Sequence, residues 1–277
     1  MKTKDRSFGH PPQARLNTNS LPLFDCKGGW YDAAISLLSG VLESMKHRGI
    51  FITLEGIDGT GKSTQFRLLV EALRRRKLPV RATREPGGTQ TGEQVREILL
   101  ASKTGKLAPL AELALIYAAR AQHLGEVVRP ALERGEIVVS DRYNDSSYAY
   151  QGYGRKLGVE VVRAFDRIVC GATQPDLTLV LDLSPRVALG RAQGRETRRR
   201  SRHGRFEDQG LAFHQRVRRG YLEIARRQPR RVKVVRAGRP IAVIQAEIRN
   251  LVDKFLTEHE SQGGNRNLGL GGRNKST

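Results

Sequence analysis

The residues with the clearest chemical capacity are Gly56, Ile57, Asp58, Gly59, Thr60, Gly61, Lys62, Ser63 and Thr64, a consecutive run. Their spacing, Gly-x-x-x-x-Gly-Lys-Ser, is that of a loop that wraps phosphate. Glycine suits such a loop because no Cβ blocks positive φ or a close approach to an anion. The amides of the loop, and of the helix it opens, then point at phosphate oxygens. Lys62 adds a positive charge for the β- and γ-phosphates, and Ser63 adds an oxygen for Mg²⁺.

Those groups need elements to hold them, and the flanks supply them. Residues 50–54 are an apolar, β-branched run, as in a buried strand. Phe66, Leu69, Val70 and Leu73 recur at helical spacing after the loop. Further along, Leu78–Thr83 reads as a second strand running into Arg84, and a helix follows over Glu93–Leu100. Residues 102–109 read as a loop, and Ala111–Arg134 as two helices broken near Pro130. The apolar strand 136–143 ends in Asp141 and Arg142, where a carboxylate that supports Mg²⁺ would stand. Residues 144–158 are polar, aromatic and glycine-rich, and a helix is expected over 159–170. Pro175–Leu183 and Arg231–Val235 complete five strands, with helices over 185–193, 217–227 and 241–256. Strands alternating with helices predict an α/β fold: a parallel five-stranded sheet flanked by helices on both faces. Ligands of such sheets bind at the carboxyl ends of the strands, where the phosphate loop, Arg84, Asp141 and Arg142 all fall.

Composition narrows the class. The chain has 277 residues and a net charge of +21. Segment 186–236 holds 17 of the lysines and arginines against four acids, more than half of the excess. A basic chain favours phosphate-rich partners. Two cysteines, Cys26 and Cys170, form no disulfide framework, and no apolar run reaches a membrane span, so a cytoplasmic setting is expected. Cys170, in an apolar helix end, reads as a core thiol. His47, His123, His203 and His214 lack the spacing of metal ligands and read as surface or helix-cap residues. Residues 1–46 are expected to be a leader, disordered or partly helical, with Met45 immediately before the first strand. Residues 47–260 form the expected domain, and 261–277 a disordered tail.

Several motifs in order name a family. Glu55–Thr64, Thr83-Arg84-Glu85-Pro86-Gly87-Gly88-Thr89, Tyr117-Ala118-Ala119-Arg120-Ala121-Gln122-His123, Ser140-Asp141-Arg142-Tyr143 and Ala149-Tyr150-Gln151-Gly152 together resemble bacterial thymidylate kinase from about Arg48 to Leu256. The resemblance implies a P-loop nucleoside monophosphate kinase fold and transfer of the γ-phosphoryl of ATP to dTMP, with Mg²⁺, giving dTDP for dTTP synthesis. It places ATP on the loop 56–64 and Lys62, and Mg²⁺ on Ser63 with Asp141 near. It sets Asp58 beside the acceptor phosphate and sugar, and Arg84 and Arg142 as clamps on that phosphate. Arg120 would hydrogen-bond thymine with Ser147, Tyr150 and Gln151 nearby. It also implies a homodimer, with helix 111–129 a candidate interface.

The basic segment then gains a role. Residues 189–208 occupy the family's lid, which closes over ATP. Gly59 stands where one class of the family has a catalytic arginine in the loop, so that arginine must come from the lid. Arg205 is the expected donor, with Arg191 and Arg195 behind it. Two departures stand out. Ile116 replaces the phenylalanine that usually stacks on thymine, leaving an apolar contact or a rotated Tyr117. His203-Gly204 precede Arg205 where an acid is common. Two rival readings remain open: another monophosphate or small-hydroxyl kinase on this scaffold, and a nucleic-acid-binding P-loop protein. The basic segment lacks interleaved aromatics for base stacking, which argues against specific nucleic-acid binding.

Overall fold

The computed structural model describes residues 49–100, 107–191 and 209–261. The leader, the tail beyond Ser261, and most of the expected lid, including Arg195 and Arg205, lie outside the described residues. The elements are β1 (Ile50–Glu55), α1 (Lys62–Arg75), β2 (Val80–Arg84), α2 (Gln90–Leu100), α3 (Pro109–His123), α4 (Arg129–Glu133) and β3 (Ile137–Asp141). They continue as α5 (Asn144–Ser147), α6 (Val159–Val169), β4 (Leu177–Asp182), α7 (185–191), α8 (Leu211–Arg227), β5 (Val232–Arg236) and α9 (Ile241–Ser261).

The five strands pair in parallel in the order β2-β3-β1-β4-β5. Burial on both faces explains the near-continuous apolar character of β1, β3 and β4, whereas the edge strands β2 and β5 are partly exposed and carry arginine and lysine. Ile50, Ile52 and Leu54 of β1 and Ile137 and Val139 of β3 join the core beneath α1, α8 and α9. The alternate residues Phe51 and Val138 join Leu113, Tyr117, Leu132 and Val162 of α3, α4 and α6 on the other face. Consecutive side chains on a strand point to opposite faces, and here each face finds a helical layer. Cys170 sits in the second core, fully buried, and burial pushes its thiol up to about 12.

β1 lies between β3 and β4, so the chain leaves it to one side for β2 and β3 and crosses it for β4. That reversal opens a crevice at the carboxyl end of β1, where the phosphate loop begins.

Several boundaries moved. The break expected near Pro130 is a π-helical turn over Leu124–Val128, before α4. Proline lacks an N–H and crowds the carbonyl four residues back, and the widened turn absorbs both. The polar stretch after β3 is helical too: α5 runs into a second π-helical turn over Tyr148–Gly154, where the Arg155 N–H bonds the Tyr150 carbonyl at 2.8 Å. α8 begins at Leu211, six residues before its expected start.

One polar network crosses the sheet. Arg231 donates to both oxygens of buried Asp145 at 2.7 and 2.9 Å and to Thr178 Oγ1 at 2.8 Å. Thr178 also meets Thr53 Oγ1 at 2.8 Å. Removing one member of such a pair strands a buried charge. Arg231→Ala is expected to lower unfolding free energy by about 3 kcal/mol, read from urea midpoints, because Asp145 loses its counter-ion.

Candidate active site

The loop adopts the conformation that its glycines permit. Gly56, Gly59 and Gly61 have φ of 133°, 85° and 90°. A Cβ on Gly59 would lie 1.9 Å from the Ala188 carbonyl oxygen of α7, so no side chain fits there. The vacant arginine position noted in the sequence is thus filled by backbone at the root of the lid. Lys62, at the start of α1, is buried and donates to the carbonyls of Gly56 and Ile57 at 2.9 and 3.0 Å. Burial and the positive charge of Arg142 pull its amine down to about 8.

Arg142 is the hub. Its φ of 74° is unusual for a residue with a Cβ. The strand ladder holds it there: its N–H donates to Leu54 O at 3.0 Å, and its carbonyl accepts from Ser140 Oγ at 2.7 Å. Nη2 donates to Asp58 Oδ1 at 2.7 Å and Tyr150 Oη at 3.2 Å. Nη1 faces the Gly56 carbonyl, Ser146 Oγ and Tyr221 Oη at 3.0, 3.2 and 3.2 Å. Burial opposes ionisation of Asp58, but Arg142 and Lys62 outweigh it and hold the carboxyl well below the usual range. Asp58 therefore stands as a carboxylate between the loop lysine and Arg142, with the Tyr150 hydroxyl donating to its other oxygen at 3.2 Å.

Asp141 ends β3 in register with Leu54 and Arg84. Its Oδ1 is buried without a hydrogen-bond partner. An orphaned carboxylate oxygen beside the loop suits a cation. Among the described residues no cluster of three His, Cys, Asp or Glu could hold a metal by itself. Exposed Ser63 opens α1 on the same loop.

The expected base-reading residues are tightly tied. Arg120 is 2% exposed. It donates to Glu85 Oε2 at 2.7 Å, Ser147 Oγ at 3.1 Å and the Tyr143 carbonyl at 3.1 Å, using three of its five hydrogens. Its guanidinium also lies 4.5 Å from the Tyr117 ring centre. Gln151 donates to buried Glu112 at 2.8 Å. Ile116 lines the inner face of α3, and Tyr117 belongs to the second core against Phe165 rather than turning towards a base. Arg84 is exposed and bonded to both oxygens of Glu93 at 2.9 and 2.8 Å. Arg191, also exposed, donates to Ala237 O at 3.3 Å, between the root of the lid and the loop after β5.

Other residues carry the site without having been singled out. His123 and His214 are buried, not on the surface. His123 sits one helical turn from Arg120, bonds Glu85 at 2.9 Å and Thr83 at 2.6 Å, and so helps fix the carboxylate that fixes Arg120. Arg96 of α2 donates to the Pro86 carbonyl at 2.9 Å, and burial, with the charge of Arg84, lowers its pKa. Glu55 is fully buried beneath the loop. Burial first, then the charge of Asp145, pushes its carboxyl up to about 7. A buried acid closing an apolar strand was a visible signal, the same one that marks Asp141.

A glycine-rich phosphate loop at the carboxyl edge of a parallel sheet, facing a partly buried arginine–carboxylate pair, defines a P-loop phosphotransferase of the nucleoside monophosphate kinase fold. The family model "Thymidylate kinase" matches residues 54–248. The chain is 45% identical over 217 residues to a thymidylate kinase of Symbiobacterium thermophilum, spanning 78% of this chain and 99% of that protein. It is 48% identical over 207 residues to one of Pseudomonas putida, spanning 75% and 98%. The crystal structure of thymidylate kinase from Ehrlichia chaffeensis superposes with a TM-score of 0.60 at 32% identity, over 74% of this chain and 98% of that one. The chain belongs to the thymidylate kinase family.

Two outcomes follow from this geometry. Gly59→Ala forces the loop or α7 to move and places Cβ at φ 85°; the ATP KM should rise roughly tenfold or more in steady-state assays. Glu55 gives a pH signature. Its carboxyl is raised from 4.5 to about 7, so the native state holds a proton that the unfolded chain has lost between those values. Its contribution to stability is complete below about pH 4.5 and is lost as pH rises through about 7. The thermal midpoint of the protein relative to Glu55→Gln should therefore fall across that window.

Proposed function

We propose that this chain transfers the γ-phosphoryl of ATP to dTMP, giving dTDP and ADP on the route to dTTP. The observation that carries the reading is the Lys62–Asp58–Arg142 arrangement: a lysine on the triphosphate loop and an arginine facing it, bridged by one carboxylate. Phosphoryl transfer demands in-line positioning and neutralised charge more than a strong base.

In this reading the loop 56–64 and Lys62 hold the donor phosphates. Lys62 leaves the Gly56 and Ile57 carbonyls for phosphate oxygens, and the new anion restores the charge that burial disfavours. Arg142 takes the acceptor phosphate, with Arg84 and Arg96 moving from internal partners to the same anion. Planar guanidinium suits this, because it offers paired donors to phosphate oxygens. Asp58 keeps Arg142 and Lys62 in register and lies beside the sugar of the acceptor. Arg120 keeps two hydrogens for a base carbonyl, with Ser147, Tyr150, Gln151 and the apolar side of Ile116 around it. Ser63 and Asp141 would hold Mg²⁺, which would supply positive charge to offset that of the donor phosphates. Arg205 supplies the transition-state charge from the lid, with Arg191 and Arg195 on the nucleotide side.

The reading includes a homodimer in the cytoplasm. Leu110, Ala114, Ala118 and Ala121 of α3 and Val161 and Ile168 of α6 are exposed, on two helices packed together. A second copy would cover this apolar face. No helix among the described residues is long and apolar enough to cross a membrane.

A coupled ADP-release assay with dTMP, dUMP, dGMP, dCMP and shikimate tests the reaction. dTMP should give the highest kcat/KM; preference for any other acceptor refutes the assignment.

A further inference from the structure

Behind Arg142, on the side away from Asp58, lies a second carboxylate that the reaction does not touch. Glu55 Oε1 accepts the Tyr143 N–H at 2.7 Å. Glu55 Oε2 accepts Ser146 Oγ–H at 2.6 Å and Tyr221 Oη–H at 2.9 Å. The same two hydroxyl oxygens are the acceptors, at 3.2 Å each, for Arg142 Nη1. A hydroxyl has one hydrogen and two lone pairs. The two hydroxyl oxygens also lie 2.9 Å from each other, where either could donate; with both hydrogens drawn to the Glu55 carboxylate instead, only lone pairs are left to face the guanidinium. Three different elements meet at this point: Glu55 ends β1, Ser146 lies in α5, and Tyr221 comes from α8, the first helix after the lid segment.

We propose that Glu55 is a positioning residue for the acceptor-phosphate clamp: its carboxylate sets the direction of the Ser146 and Tyr221 hydroxyls so that both accept from Arg142 and hold it in its strained backbone conformation. This rests on Arg142 being that clamp. Asp58 and Tyr150 repeat the device on the front of Arg142, with the Tyr150 hydroxyl donating to Asp58 and accepting from Nη2. The front carboxylate lies where substrate arrives. The rear one is sealed, at 0% exposure, so it acts through Ser146 and Tyr221 from a position that the acceptor does not reach.

The proton count makes Glu55→Gln a sharp test. If the amide oxygen stays on the Tyr143 N–H, the amide nitrogen donates to Ser146 and Tyr221 and turns their hydrogens towards Arg142. If the amide flips, its nitrogen meets the Tyr143 N–H instead. Either orientation sets donor against donor, whereas glutamate satisfies all three. Tyr221→Phe and Ser146→Ala each remove one acceptor from Arg142 without adding a donor, and keep the test open should Glu55→Gln fail to fold.

The experiment measures KM for dTMP and for ATP, kcat and the thermal midpoint for the protein and the three variants, at a pH well above the value of about 7 to which burial raises Glu55, so that Glu55 is a carboxylate. Glu55→Gln and Tyr221→Phe should raise the dTMP KM about tenfold, as expected for loss of a charge-assisted contact, with the ATP KM within about twofold. An unchanged dTMP KM in folded Tyr221→Phe, or an equal rise in the ATP KM, overturns the proposal, because a merely structural role lowers the midpoint without singling out one substrate. Should the unaltered protein prefer another monophosphate to dTMP, the substrate assignment falls, and the same comparison on that acceptor's KM decides the role of Glu55.

Discussion

Everything at this site depends on keeping one positive charge, that of Arg142, largely buried and aimed. A guanidinium removed from water must recover its hydration from fixed partners. Arg142 does so with one carboxylate, three hydroxyls and a backbone carbonyl drawn from the phosphate loop, α5, its π-helical extension and α8. Its left-handed backbone persists because β1 and β3 clamp it on both sides of the peptide. The parallel sheet is therefore part of the site: it sets the pairing of Leu54 with Asp141 that brings the loop and the arginine together.

The same economy of contact joins the phosphate loop to the lid. Gly59 touches the backbone of Ala188, three residues before Arg191 and at the root of the basic segment. On the far side of that segment, α8 brings Tyr221 to Arg142. The described residues on either side of that segment thus meet the phosphate loop and Arg142.

Local pattern was enough for some parts and not for others. The three central strands and the loop were legible because burial on both faces leaves a continuous apolar run and the loop has a fixed glycine spacing. Glu55 and Asp141 share a readable mark, an acid closing an apolar strand. His123 had none: its role comes from standing one turn from Arg120 with Glu85 between them, and Glu85 arrives from a loop far away in sequence. Tyr221 was equally silent, an aromatic at helical spacing that could as well have been core. The helical character of 144–154 was hidden because glycine and aromatic residues favour loops locally, and only packing against α8 outweighs that preference.

The sequence by itself determined the class of chemistry, since a glycine loop closed by Lys62 and Ser63 between a strand and a helix has few uses other than holding phosphate. It also determined the fold class, through the alternation of buried strands and helices, and the family, through ordered motifs. Only the tertiary structure decided which charges meet. Arg142 is paired with Asp58, Arg120 with Glu85, and Glu55 reaches Arg142 through Ser146 and Tyr221, because hydrogen bonds and ion pairs act over a few ångströms in space and leave no periodicity along the chain.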